Sequence, residues 1–228
     1  MPLGIVVGLA AEAGIVRRLG VPVGIGGGTP AGARKAAEAL LTGGASALLS
    51  FGLAGGLDPA LAAGEIVIPS AVLSTDRRFD TDPRLSSALG GPTPHLLLAA
   101  DRPIAEPGDK SILYARSGCA AADLESGSVA EAAAARGVPF AVLRAICDPA
   151  GRPLPAAALV ALDAKGIIGL SRIVASLVQR PAQIPLLLAL ARDAAIARRA
   201  LVQHVRQLSL ARHPGYSPGT DTQTGSRS

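Results

Sequence analysis

Two apolar runs of this chain end in carboxylates. One is Cys119-Ala-Ala-Ala-Asp123-Leu124-Glu125-Ser126, and the other is Val138-Pro-Phe-Ala-Val-Leu-Arg144-Ala-Ile-Cys147-Asp148. Acids at the ends of two buried strands can converge on one pocket, where burial raises a carboxyl pKa and suits it to proton transfer. Asp148, at the end of a strand, is hard to explain as packing. Asp123 is read as structural, since it shares a face with Glu125 only while the strand stays regular.

Other residues could complete such a pocket. Glu12 falls just after the apolar run Leu3–Leu9, where ligand sites open in α/β sheets, although a helix-start acid favoured by the helix dipole fits equally. Gly52-Leu53-Ala54-Gly55-Gly56 follows another apolar run, and it reads either as a close backbone approach to a ligand or as a plain turn. Gly26-x-Gly28-x-x-Ala31 loosely fits a dinucleotide fingerprint. The acid that should follow about 20 residues later is absent from Leu48-Leu-Ser-Phe, so a structural loop is the better reading. No Gly-x-Ser-x-Gly elbow occurs, and His95, His204 and His213 fall at a strand start, on a surface helix and in a tail, which argues against a serine nucleophile. Cys119 and Cys147 form no CxxC and read as buried free thiols.

These residues need a scaffold, and the pattern supplies an α/β one. Strands are expected over 3–9, 21–25, 45–51, 65–73 (broken at Pro69), 95–99, 119–125 and 138–145. Helices are expected over 10–19, 31–41, 107–116, 126–136, 156–164, 171–180 and 183–211. Residues 74–94 and 149–155 read as loops. Continuous apolar strands alternating with helices imply a mainly parallel sheet covered on both faces. The last helix would be about 40 Å long. It repeats Leu187, Ala194, Leu201 and Leu208 on one face and Arg192, Arg199 and Arg206 on another.

At 228 residues, 49% of them hydrophobic and only 2% aromatic, the chain can bury a large core of small side chains. Residues 1–212 are expected to form a single domain, with 213–228 a disordered tail. The net charge of +5 comes without aromatic-interleaved basic patches, so no nucleic-acid partner is expected. No signal peptide is recognisable and no apolar run reaches membrane-spanning length, so a cytoplasmic protein is expected.

In order along the chain, Gly4-Ile-Val-Val-Gly-Leu-Ala-Ala-Glu12, Phe51-Gly-Leu-Ala-Gly-Gly-Leu57 followed by Gly64-Glu-Ile-Val-Ile-Pro69, Ala122-Asp-Leu-Glu-Ser126 and Arg144-Ala-Ile-Cys147-Asp148 resemble the motifs of the nucleoside phosphorylase and nucleosidase superfamily. That superfamily includes purine nucleoside phosphorylases and methylthioadenosine/adenosylhomocysteine nucleosidases, and the resemblance covers about residues 1–150. A narrower resemblance is to hopanoid-associated phosphorylases, carried by Ser50-Phe-Gly-Leu-Ala-Gly-Gly-Leu-Asp-Pro-Ala60, Lys110-Ser-Ile-Leu-Tyr114 and the arginine-rich last helix.

The resemblance implies a three-layer α/β/α fold with a mixed, mainly parallel twisted sheet and a long C-terminal helix. It implies cleavage of the N-glycosidic bond of a purine nucleoside, adenosylhopane in hopanoid biosynthesis being the substrate of the narrower group. Asp148 would be the acid at the base, and Glu12 would orient or deprotonate an attacking water. Glu125 would bind the ribose, and Leu124, Ala54, Gly55, Gly56 and Cys147 would line the substrate site. No cofactor and no metal are implied. Inorganic phosphate is a candidate co-substrate, with Arg77 or Arg78 as a candidate ligand for it. A homo-oligomer is implied, and the arginine-bearing helix is a candidate peripheral membrane contact at the inner membrane. Leu53 stands where many relatives have a phosphate-binding Ser, which leans the chemistry toward water. Leu124 replaces a Met, and Cys147 a Ser. The alternatives are a methylthioadenosine/adenosylhomocysteine nucleosidase, a general purine nucleoside phosphorylase, and a non-catalytic purine-binding module.

Overall fold

The longest apolar runs of the sequence meet at the centre of one sheet. The computed structural model describes residues 2–74, 77–155 and 183–211. The helices expected over 156–164 and 171–180, and the tail 213–228, lie outside these residues.

The strands are β1 (Leu3–Val7), β2 (Val23–Ile25), β3 (Ala47–Gly56), β4 (Ile66–Val67), β5 (Ala71–Leu73), β6 (Arg78–Asp80), β7 (Leu96–Ala99), β8 (Ala121–Asp123) and β9 (Phe140–Asp148). The helices are α1 (Ala10–Val16), extended by a 3-10 turn at Arg17–Leu19, then α2 (Pro30–Thr42), α3 (Pro83–Ala88), α4 (Pro107–Ser117), α5 (Ser126–Arg136) and α6 (Ile184–Ala211).

The sheet follows the order β2-β1-β3-β8-β7-β5-β6, and β9, which carries β4, branches from β3. β3 runs parallel to β1 (Ile5 opposite Leu49) and to β9 (Leu49 opposite Ala141). Its end turns away to pair antiparallel with β8 at Gly55 and Gly56, where the β3–β9 register also shifts. This branching brings the ends of β1, β3, β8 and β9 to one side of the sheet.

Alternation along the strands divides the core into two layers. Val6, Leu48, Val142 and Ile146 pack with Ala33 and Ala37 of α2 and Val129 and Ala133 of α5. On the other face, Ile5, Val7, Leu49, Phe51 and Leu143 pack with Ile15 and Val16 of α1 and Ala197, Leu201 and Val205 of α6. The three-layer, mainly parallel α/β/α fold with a long C-terminal helix is therefore observed.

Several local expectations change. The glycine run after residue 51 is not a loop, because β3 continues through Gly56 with β8 and β9 pairing against it. Residues 74–94 hold β6 and α3. Asp82 caps α3 by accepting from the Arg84 and Leu85 N–H groups, and Pro83 pre-sets its first turn. The strand expected over 119–125 is confined to β8, since Asp123 Oδ1 accepts from the N–H groups of Glu125 and Ser126 and turns the chain into α5. His204 is half-buried rather than on a solvent face, with Nε2 2.6 Å from the Leu89 carbonyl.

Candidate active site

The centre of the carboxylate cluster is Arg144, a fully buried side chain in the middle of β9. Its Nε lies 2.5 Å from Asp123 Oδ2, and its Nη2 lies 3.4 Å from Glu125 Oε2. Nη2 also donates to Ser50 Oγ at 2.7 Å and to Ser126 Oγ at 3.1 Å. A Cβ built on Gly52 would fall 2.5 Å from Arg144 Nη1 and 2.7 Å from Glu12 Oε1, so only a glycine lets both groups reach the backbone of β3.

Glu12 is held at the start of α1. Its Oε2 accepts from Leu9 N at 2.8 Å, and its Oε1 accepts from Leu53 N at 3.1 Å. Glu125 is also buried, and among the described residues its Oε1 has no hydrogen-bond partner. A Cβ on Gly8 would lie 2.3 Å from that oxygen, so the turn after β1 is packed directly on the Glu125 carboxylate. The Gly26–Gly28 loop serves the same cluster. Its N–H groups reach the carbonyls of Val7 and Gly8, and that of Gly28 reaches Glu125, which supports the structural reading of its glycines.

Among the described residues one arginine faces three acids here, and burial and this imbalance act together on Glu12 and Glu125. Burial pushes the Glu125 carboxyl up to about 7, against the pull of Arg144 and with a further push from Glu12 and Asp123. Burial also raises Glu12, with Arg144 and three backbone N–H groups opposing. Burial acts to lower Arg144, but Asp123, Glu125 and Glu12 outweigh it and hold the guanidinium above its ordinary value.

A second ion pair stands at the end of β9. Lys110 Nζ of α4 lies 2.6 Å from Asp148 Oδ2, and both side chains are buried. Burial raises the Asp148 pKa, while the hydrogen bond and charge of Lys110 oppose the rise. Cys147 packs partly against the apolar layer under α6, and burial pushes its thiol up to about 12.

Two cavities open around these groups. The first, of about 340 Å³, has Asp148, Lys110, Cys147, Ala54, Gly55, Gly56 and Leu124 in its lining. The second, of about 690 Å³, lies between α1 and α6, with Glu12, Leu53, Ile15, Arg198, Arg199 and Arg206 in its lining. Leu9 and Ala194 border both, so the cavities adjoin.

All the expected site residues thus gather at one edge of the sheet, but not in one wall. Glu125 lines neither cavity and touches Arg144 and Gly8 instead. Arg77 stacks over the Phe79 ring at 4.7 Å and Arg78 pairs with Asp80 at 2.7 Å on the β5–β6 hairpin. Neither lines either of these two cavities, so the structure does not bring them to Asp148 or Glu12. Sequence reasoning also missed two partners. Lys110 stood out only through the resemblance of Lys110-Ser-Ile-Leu-Tyr114, and nothing in the pattern paired it with Asp148, 38 residues away. Arg144 did give one, as a lone charge inside the run Ala-Val-Leu-Arg-Ala-Ile. Among the described residues, no cluster of His, Cys, Asp and Glu could hold a metal ion, and no helix is long and apolar enough to cross a membrane.

A branched α/β sheet with acids at its strand ends defines a ligand-site class, and the comparisons give its family. The chain belongs to the phosphorylase superfamily, whose family model matches residues 10–95 and 93–179. This bears out the nucleoside phosphorylase and nucleosidase likeness of the four ordered motifs. No curated protein matches the chain. Among solved structures, the futalosine hydrolase of Helicobacter pylori strain 26695 superposes with a TM-score of 0.64 at 15% identity, covering 90% of this chain and 97% of that one. The S-adenosylhomocysteine nucleosidase of Streptococcus pyogenes, solved with 5-methylthiotubericidin, has a TM-score of 0.64 at 15% identity, covering 90% and 96%. The 5′-methylthioadenosine/S-adenosylhomocysteine nucleosidase of Colwellia psychrerythraea 34H, solved with adenine, has a TM-score of 0.64 at 18% identity, covering 90% and 95%. These three share the fold of this chain.

Proposed function

We propose that this protein is an enzyme that cleaves the N-glycosidic bond of an adenine nucleoside bearing a large apolar 5′ group, with adenosylhopane as the substrate. The observation that carries the reading is Asp148. One of its oxygens is held by Lys110, and the other, Oδ1, is buried beside an apolar cavity and has no partner among the described residues. An unpartnered buried carboxyl oxygen calls for a hydrogen-bonding ligand. A purine edge between Ala54, Gly55 and Leu124 would supply one.

Breaking the bond between C1′ and the purine nitrogen sends the bonding electrons to the base and leaves cationic character on the ribose. Asp148 gives its proton to the base as it leaves, Glu12 faces the developing cation from the adjoining cavity, and Glu125 adds negative charge behind that wall. The nucleophile then bonds to C1′. Glu12 beside the hydroxyl-free Leu53 supports water, with the carboxylate taking its proton. Arg198, Arg199 and Arg206 in the lining of the same cavity support phosphate.

The 5′ group is argued from the second cavity. Ile15, Leu53, Ala191, Leu201 and Val202 make it largely apolar, and it adjoins the first at Leu9 and Ala194. Exposed Ile184, Leu188 and Ile196 on α6, next to Arg192 and Arg199, support a peripheral contact with an anionic membrane that holds such a substrate. Flotation with anionic vesicles tests that contact, and absence of binding removes it.

The deciding experiment incubates the protein with adenosylhopane, adenosine and methylthioadenosine, with and without phosphate. The expected products are free adenine with the free sugar, or with the sugar 1-phosphate only when phosphate is present. Asp148→Asn should slow adenine release by about 10²- to 10⁴-fold. A protein that binds adenine nucleosides but frees no base from any of them is a binding module, and the proposal fails.

A further inference from the structure

The partner of Asp148 has a role that rests on this functional reading and extends it. Lys110 is 1% exposed, and its ammonium group has three acceptors. They are Asp148 Oδ2 at 2.6 Å, the Arg152 carbonyl at 2.9 Å and the Pro149 carbonyl at 3.2 Å. An ammonium has three donors and no acceptor, so every donor of Lys110 is engaged. Two of the acceptors belong to the turn that follows β9, so the same group fixes the backbone on which Asp148 sits.

We infer that Lys110 is the positioning residue of the proposed acid: it selects Oδ1 of Asp148 as the oxygen that meets the purine, and it holds the carboxylate left behind when that oxygen gives up its proton.

The geometry assigns the two oxygens different work. Oδ2 receives an N–H from a cation and is a poor site for a proton. Oδ1 is buried and unpartnered, so a proton on Asp148 resides there. When the bond from C1′ to the base breaks, the bonding electrons move onto the purine, and the Oδ1 proton transfers to a purine nitrogen. Asp148 becomes a carboxylate with its new charge 2.6 Å from the Lys110 ammonium through Oδ2. Without that cation, a buried anion would form with no counter-charge in contact.

Among the described residues, the charged surroundings of Asp148 are few. Lys110 comes from α4, Arg152 from the turn after β9 and Asp193 from α6, and Cys147 is its neighbour in β9. Arg152 is itself paired with Asp193 at 2.6 Å, which leaves Lys110 as the cation in contact with Asp148. Burial and Asp193 favour the protonated acid, while Lys110 and Arg152 favour the carboxylate. Burial thus favours a proton on the group, and Lys110 favours its release.

The test compares Lys110→Met with the wild type in two readouts. One is the alkaline limb of the pH profile of kcat/KM for adenine release, which reports the acid of the free enzyme. The other is the carboxyl carbon resonance of Asp148, assigned by its loss in Asp148→Asn and followed through a pH titration. The expected result is that both midpoints move to higher pH, and that kcat falls by about 10-fold or more. Lys110→Gln, which keeps a donor without the charge, should move both midpoints the same way, and it stands in if the methionine variant fails to fold. Midpoints that stay in place in a folded variant overturn the inference, even if kcat falls, because Lys110 would then only support the backbone. A wild type that frees no base defeats the functional reading alone, since the carboxyl resonance still decides the claim about Lys110.

Discussion

Glu125→Gln should make the protein more stable at pH 8 and less active. Gln has the shape of the protonated acid and no titration. In the folded protein the Glu125 carboxyl titrates at about 7, against an ordinary value of 4.5. Between those values the folded form keeps a proton that the unfolded chain has released. Wild-type stability therefore falls as pH rises through that window and levels off above 7. The gap, at ~1.4 kcal/mol per pH unit, corresponds to about 3 kcal/mol. Glu125 is only 6% exposed, so solvent screening does little to reduce it. Urea unfolding at half-unit steps from pH 4.5 to 8 measures the effect. The wild-type and Gln curves should meet near pH 4.5 and separate by about 3 kcal/mol above pH 7, with the variant higher. Parallel curves would refute the claim that Arg144 leaves this carboxyl under-compensated. In the proposed reaction the same variant also loses an anion beside the forming cation, so adenine release should drop while stability rises.

Arg144→Met removes the one cation among Asp123, Glu125 and Glu12 and should destabilise the fold by about 3–5 kcal/mol. For a chain of this size that lowers Tm by roughly 10 °C in a thermal melt, and a change under about 2 °C would contradict the buried-pair assignment. Gly8→Ala places a methyl group on the Glu125 carboxylate and should cost about 1–3 kcal/mol by overpacking. Its effect on base release should exceed that of Gly14→Ala, where the new Cβ meets nothing within 4 Å. Burial raises both thiols, Cys147 to about 12. At pH 8 a disulfide reagent should therefore modify them far more slowly in the native protein than after denaturation, and a fast native thiol would refute that placement.

The scaffold was legible where one physical cue dominated. β1, β3 and β9 are continuous apolar runs because helices cover both faces of the sheet, and α2 and α4 begin at prolines suited to a first helical turn. β3 was cut short in the sequence reading because glycine is a poor strand former. At Gly52 the side-chain space is filled by Glu12 and Arg144, a fact that lies in three distant segments. β6 and α3 were hidden in a polar stretch, although Asp82-Pro83 carries a cap and a first-turn signal. Acids at strand ends picked out Glu12 and Asp148, each of which lines a cavity. What they touch did not follow, because Lys110 reaches Asp148 only through the docking of α4, and Arg144 reaches Asp123 and Glu125 only through the β8–α5 turn.

The two halves of the site treat their acids in opposite ways. Asp148 has one cation in contact, so its carboxylate is matched by a single charge. Asp123, Glu125 and Glu12 share Arg144, so their cluster carries excess negative charge whenever all three are ionised. That difference suits the proposed reaction. The base side must finish as a stable carboxylate after losing a proton, which a one-to-one pair provides. The ribose side must meet a positive charge that exists only on the way across the barrier. A surplus of negative charge fixed beforehand favours that state over the neutral substrate. Such a surplus is unfavourable in the resting protein, and it adds to burial in raising the pKa of Glu125. The pH dependence of stability and the loss of activity in Glu125→Gln therefore test one cause. If the variant gains stability above pH 7 without slowing adenine release, the surplus is a feature of the fold alone.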